Sequence, residues 1–72
     1  MGKRVVVKIT SSEADRRYFC HPYGIAKDPY TGNDVVVCIC SKGDYKFGDR
    51  VWAEITGRDG KLPKLYAEPV RH

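Results

Sequence analysis

The sequence lacks an apolar run long enough to cross a bilayer. The longest is Val35–Cys40, whereas a spanning helix needs about 18 or more such residues. Near the N-terminus, Lys8 interrupts the apolar stretch after three valines, too soon for the core of a secretory signal. A chain of 72 residues is also too short for two lobes around a cleft or for a TIM barrel. We therefore expect one domain over residues 1–72, without a membrane partner.

Recognisable catalytic motifs are absent as well. No Gly-x-Ser-x-Gly elbow and no phosphate-binding Gly-x-x-x-x-Gly-Lys-Ser/Thr loop occurs. Cys20 and His21 are adjacent, but neighbouring residues of a strand point to opposite faces, so they would not form a nucleophile–base pair. The sequence predicts a protein that is not an enzyme, with no catalytic residues and no cofactor.

Cysteine is scarce and odd in number. Cys20, Cys38 and Cys40 cannot form a complete set of disulfides, which favours a reducing, cytoplasmic setting. A zinc site made of these three thiols and His21 is an alternative. However, Cys38 and Cys40 lie in a strand-like Val-Val-Val-Cys-Ile-Cys segment, where cysteine behaves as a small apolar residue. We expect no bound metal, and metal analysis of the purified protein would decide.

Helical periodicity is missing, and the apolar residues instead alternate with polar ones. Four segments have an apolar face of this kind: Val5–Ile9, Val35–Ile39, Val51–Ile55 and Leu65–Ala67. A fifth strand is expected within residues 18–27, interrupted at His21-Pro22 because proline cannot donate to a ladder. The Asp59-Gly60 pair between the last two strand patterns indicates a hairpin, with Arg58 and Lys64 expected in loops. Five short strands joined by polar turns are best protected from edge-to-edge aggregation by closure. The pattern predicts an all-β, five-stranded small barrel, either OB-like or SH3-like.

The positive charge is spread over the chain. The net charge is +4 and the isoelectric point about 9.1, without a basic tail, so any basic patch must be assembled by folding. Aromatic residues interleave with cations between residues 16 and 30. Such side chains on a barrel surface can stack on unpaired bases while cations hold phosphates. The predicted nucleic-acid-binding residues are Arg17, Tyr18, His21, Tyr23, Lys27, Tyr30, Lys42, Trp52, Arg58 and Lys64.

Several of these aromatic residues have a second interpretation. Phe19 and Tyr23 could belong to the core, which needs large side chains. Trp52 alternates with the apolar face of its strand, so it either marks a contact surface or covers the end of the barrel. The predicted function is a non-enzymatic module that binds RNA or single strands. The alternative is an SH3-like adaptor or a small subunit of a larger assembly, gripping a protein partner through the same rings.

Four segments, in order, resemble the TRAM domain. They are Gly24–Lys27, Val35–Val37, Gly48–Ile55 and Tyr66–Val70. The family consists of small OB-type barrels found on RNA-modifying enzymes and as stand-alone archaeal proteins. The resemblance favours the OB-like over the SH3-like barrel and implies RNA binding through the second strand and nearby loops, around Tyr23 and Lys27. Three features depart from the family: Pro22 in place of a glycine, a longer loop at residues 41–47, and the cysteines, which fall outside its pattern.

Overall fold

The computed structural model describes residues 2–11, 21–41 and 45–70. This part of the chain forms five β-strands and no helix: β1 Arg4–Ile9, β2 Tyr23–Lys27, β3 Asp34–Ile39, β4 Arg50–Arg58 and β5 Lys64–Pro69. The all-β prediction is confirmed. Within the described ranges, no helix has the length and apolar character needed to cross a membrane.

The strands close into a barrel in the order β1-β2-β3-β5-β4. β3 and β5 run parallel, and the other neighbouring pairs are antiparallel. β4 returns to pair with β1 rather than with β3, which gives the 4-1-2-3 order of a Greek key. A five-stranded Greek-key barrel is the architecture of OB-like folds. The predicted closed five-stranded barrel is therefore confirmed, and its strand order is consistent with the OB-like form.

The core is small and aliphatic. Each strand alternates buried and outward side chains, as the sequence predicts, and the inward residues include Val7, Val37, Ala53 and Leu65. All twelve buried hydrophobic residues of the described chain are Val, Ile, Leu or Ala. Among the described aromatic residues, Tyr45 packs partly against this cluster. The barrel therefore leaves most of its described rings available at the surface.

Close approach of two strands explains one glycine. A Cβ atom at Gly24, on β2, would lie 2.1 Å from the carbonyl oxygen of Lys8 on β1. No side chain fits there without moving a strand. Gly32 has a different role, because its φ of 79° closes the β2–β3 turn. Its N–H donates to the carbonyl oxygen of Asp28 at 2.8 Å.

The hairpin predicted at Asp59-Gly60 is present, because the pair lies between the antiparallel strands β4 and β5, and the connection is a five-residue loop. The carboxylate of Asp59 stabilises this loop by accepting hydrogen bonds from the backbone N–H groups of Lys61 and Leu62 at 2.8 and 2.9 Å. Consequently Arg58 and Lys64, expected in a loop, are the last residue of β4 and the first of β5. The possible core position of Phe19 lies outside the described residues.

Candidate nucleic-acid interface

Outward-facing residues form a continuous row across all five strands. The strand registers pair Arg50 with Lys8, Lys8 with Ile25, Ile25 with Val36, and Val36 with Lys64. Ile25 and Val36 are 46% and 40% exposed, so the middle of the row is an open apolar surface. Cations stand at both ends. Since neighbouring strands are about 4.8 Å apart, the row follows a path of roughly 19 Å around the barrel.

A second row runs beside the first across β2, β3 and β5. Tyr23 is paired with Cys38, and Cys38 with Tyr66, and all three side chains are half-buried and point outward. The Tyr66 ring has the Lys64 ammonium 5.3 Å from its centroid, and its hydroxyl donates to Asp59 at 3.3 Å. These contacts restrict the orientation of the ring. The strand register places Tyr23 and Tyr66 two strand spacings apart, about 10 Å, on either side of Cys38.

We call the two rows together the basic–aromatic band. Its members are Lys8, Tyr23, Ile25, Val36, Cys38, Arg50, Lys64 and Tyr66.

The cations of the band form no close ion pair within the described chain, although the Lys64 charge helps to lower the pKa of Asp59. No carboxylate oxygen of the described residues lies within 4.0 Å of the charged nitrogens of Lys8, Arg50 or Lys64. Lys8 and Arg50 are in fact direct cross-strand partners and both exposed. Like charges at opposed positions destabilise a sheet. An anion bound between them would offset this repulsion.

Trp52 lies beside the band on β4. It points outward, is 38% exposed, and pairs across the strand with Val6, which is 50% exposed. Arg50 and Lys8 lie on one side of this apolar pair. Glu54 and Arg4 lie on the other side, with Arg4 Nε 3.9 Å from Glu54 Oε1. Glu54 is also opposite Glu68 of β5. Trp52 therefore separates a basic region from a mainly acidic one.

A second group of predicted residues meets at the other end of β2 and β4. The Tyr30 ring has the Arg58 guanidinium 5.6 Å and the Lys3 ammonium 5.2 Å from its centroid. Arg58 donates from Nη2 to Oδ2 of Asp28 at 2.9 Å. The backbone N–H of Tyr30 donates to the other carboxylate oxygen of Asp28 at 2.8 Å. This backbone hydrogen bond is the main reason why the pKa of Asp28 is lowered, and Arg58 lowers it further.

The predicted site residues thus separate into distinct places. Tyr23 and Lys64 lie in the basic–aromatic band, and Trp52 lies at its border. Tyr30 and Arg58 belong to the cluster at the barrel end.

Two further predicted residues lie between or beside these sites. Lys27 points outward on β2, opposite Asp34. His21 precedes β2, and its buried Nδ1 has no hydrogen-bond partner among the described residues. Arg17, Tyr18 and Lys42 lie outside the described residues.

Four further cations and rings lie at these places and were not among the residues predicted from the sequence. Lys8, Arg50 and Tyr66 join the band, and Lys3 joins the cluster around Tyr30. The outward position of Lys8 and Tyr66 was readable from the alternation of their strands. Their neighbours were not, because cross-strand pairs depend on the order and register of the strands.

The described cysteines are free thiols. Cys38 is half-buried in the band and Cys40 is exposed one step beyond β3. Burial raises the pKa of the Cys38 thiol. No group of three or more potential metal ligands occurs among the described residues, and Cys20, one of the four hypothetical zinc ligands, lies outside them.

Comparison with known proteins identifies no relative of this chain. No family model matches the chain, and no curated protein or solved structure shows a significant match. The fold and the site are therefore interpreted from their own geometry.

Proposed function

We propose that this protein is a non-enzymatic module that binds RNA or another single-stranded nucleic acid along the basic–aromatic band. The main support is the combination of two outward tyrosines with cations that form no close ion pair in the described chain. Lys8, Arg50 and Lys64 offer charges to phosphates, while Tyr23 and Tyr66 offer rings to unpaired bases. Each stacked base contributes about 1–3 kcal/mol in sites of this kind.

The position of the band on the barrel also supports the proposal. OB-like barrels bind oligonucleotides on the face of strands 2 and 3, and the centre of the band lies on β2 and β3. The resemblance of Gly24–Lys27 and three other segments to TRAM domains points to the same strand. The proposal includes membership of that family and a cytoplasmic setting, the latter favoured by the free thiols Cys38 and Cys40.

Single strands are favoured over duplexes for a geometric reason. Duplex readers insert a helix or a two-stranded ribbon into the major groove. The described residues contain no helix, and the band curves around the barrel rather than projecting from it. A flexible single strand can follow this curvature and turn its bases toward the rings.

The test is a fluorescence-anisotropy titration with a labelled single-stranded RNA between about 50 and 200 mM salt, with duplex DNA as the comparison. Affinity should fall as salt rises, and the duplex should bind more weakly. Tyr23→Leu should weaken binding about 5- to 100-fold, because a stacking ring is replaced by an aliphatic side chain. The control is Phe47→Leu, which changes a ring that is 70% exposed but outside the band. Equal effects of the two substitutions, or no binding at the lowest salt, would reject the proposal.

A protein-interaction module is the second candidate, and one observation favours it. Val6 and Trp52 form an exposed apolar pair beside Glu54 and Glu68. Exposed aromatic residues with nearby charges are common in protein interfaces. If Trp52→Ala abolished a protein contact while leaving RNA affinity unchanged, this surface would have its own partner.

A further inference from the structure

A cavity of about 300 Å³ opens at the end of the barrel opposite the β1–β2 connection. It lies where β1 begins, β2 turns into β3, and β4 ends. Gly2, Tyr30 and Arg58 form its walls, and the nearly inaccessible Ile55 and Leu65 are at its base. The volume is at the lower end of the range for small-molecule sites, about 300–1,000 Å³.

The walls of the cavity combine an aromatic ring, Tyr30, with one cation, Arg58, and a second cation, Lys3, lies over the same ring. Tyr30 is 55% exposed, with Lys3 and Arg58 beside its ring at the distances given above. Asp28 is 1% exposed and fixes the guanidinium through Nη2. An arginine has five N–H donors, so others remain to bind a ligand. Counting Lys3, Arg58 and the Asp28 carboxylate, the cluster has a net positive charge.

The cavity is also bordered by the last residues of β4. The β1–β4 ladder ends at the Arg4–Glu54 pair, followed by one bond from the N–H of Ile55 to the carbonyl oxygen of Lys3 at 2.8 Å. β4 continues to Arg58, beyond the described start of β1. Its pairing with β5 shifts register between Ile55 and Gly57. Such bulges are frequent near binding sites, where they re-aim backbone groups and side chains.

We propose that this cavity binds a nucleoside phosphate. The phosphate would lie at Lys3 and Arg58. The nucleobase would pack against Tyr30, above the apolar floor formed by Ile55 and Leu65 and beside the end of β4. A ring and cations are the features that together distinguish a nucleotide from a simple anion. The ligand is either a free mononucleotide or the terminal nucleotide of a strand held on the basic–aromatic band. The second source rests on the proposed function.

The test is an NMR titration of the ¹⁵N-labelled protein with adenosine 5′-monophosphate, up to about 10 mM, with inorganic phosphate as the comparison. We expect shifts of the amides of Gly2, Tyr30 and Gly57, with millimolar or tighter affinity, and weaker binding of phosphate alone. Lys3→Gln and Tyr30→Leu should each weaken the binding of the nucleotide about 3- to 10-fold. Both residues are exposed, so neither substitution disturbs the core.

Lys61→Gln is the matched control, because it removes an equal charge from the neighbouring β4–β5 loop, and Lys61 neither lines the cavity nor lies over the Tyr30 ring as Lys3 does. It should leave the affinity unchanged within about twofold. The inference is overturned if the cavity amides do not shift, if phosphate binds as well as the nucleotide, or if Lys61→Gln matches Lys3→Gln.

The two sources of the ligand are separated by single-stranded RNAs with and without a terminal phosphate. If the RNA with a terminal phosphate binds more tightly, and Lys3→Gln removes this difference, the ligand is the end of a strand. If the two RNAs bind equally, the ligand is the free nucleotide. Tyr23→Leu distinguishes this inference from the proposed function, since it should weaken RNA binding at the band while leaving the mononucleotide shifts in place.

Discussion

Replacing Lys8 with glutamine should stabilise the fold and weaken nucleic-acid binding at the same time. Lys8 and Arg50 are opposed on adjacent antiparallel strands, exposed, and without a carboxylate partner in the described chain. Two unit charges about 6 Å apart in water repel by about 0.7 kcal/mol, and about half of that survives screening at physiological salt. Removing one charge should therefore add about 0.3–0.7 kcal/mol to the free energy of unfolding.

In a domain of this size, the gain corresponds to a rise in melting temperature of about 2–4 °C. Differential scanning calorimetry or thermal circular dichroism at low and high salt would measure it, and the rise should shrink as salt increases. In the RNA titration, loss of one phosphate contact should reduce the slope of log K against log salt by about 0.7.

Arg4→Gln is the matched control for this experiment. Arg4 lies on the same strand and the same face as Lys8, but opposite Glu54. Its replacement removes an attraction, so the melting temperature should be unchanged or slightly lower, and the salt slope should be unaffected. If Lys8→Gln failed to raise the melting temperature, or changed the salt slope no more than Arg4→Gln, the interpretation of the opposed cations as an anion site would be wrong.

Three further outcomes follow from the structure. Gly24→Ala should cost about 3 kcal/mol or more in urea denaturation, because its Cβ would lie 2.1 Å from a β1 carbonyl oxygen. Gly57→Ala, whose Cβ would make an ordinary 3.8 Å contact, should cost less than about 1 kcal/mol. Because the pKa of Asp28 is lowered from the ordinary aspartate value of 3.8, its ionised carboxylate should stabilise the fold above that pH, and this stabilisation is lost as pH falls through the folded-state pKa. The melting temperature of Asp28→Asn should therefore depend less on pH, below about pH 5, than that of the unmodified protein. Iodoacetamide at pH 8 should modify exposed Cys40 faster than Cys38, whose pKa is raised by burial, and bound RNA should protect Cys38. Tandem mass spectrometry, which assigns the modified cysteine within the peptide that contains both, would measure this.

Alternation along each strand was sufficient to predict which side chains face the core. The inward positions of Val7, Val37 and Leu65 require only the period of two that any half-buried strand has. The limits of the strands were less predictable. Arg58 was expected in a turn because Asp59-Gly60 is typical of tight hairpins, but the Asp59 side chain stabilises a longer loop instead.

The composition of the candidate site required the topology. Lys8 is opposite Arg50, and Tyr23 shares a row with Tyr66, only because β4 returns to β1 and β5 pairs in parallel with β3. Nothing local in the sequence encodes these pairings, which depend on how five strands of unequal length close into one barrel. The local clustering of rings along the chain therefore predicts Tyr23 as a site residue, but not the cations that the closed sheet places near it.

The aliphatic core explains why rings are available for binding. The barrel is closed by side chains no larger than Leu and Ile in its described part, so Tyr23, Trp52 and Tyr66 are not needed to fill it. Aromatic residues left at the surface carry a solubility cost that packing does not offset. Here they alternate with cations whose mutual repulsion also opposes folding. Exposed rings and opposed cations are each unfavourable alone, but both contribute to binding when a ligand supplies planar groups and negative charge. A single-stranded nucleic acid supplies both.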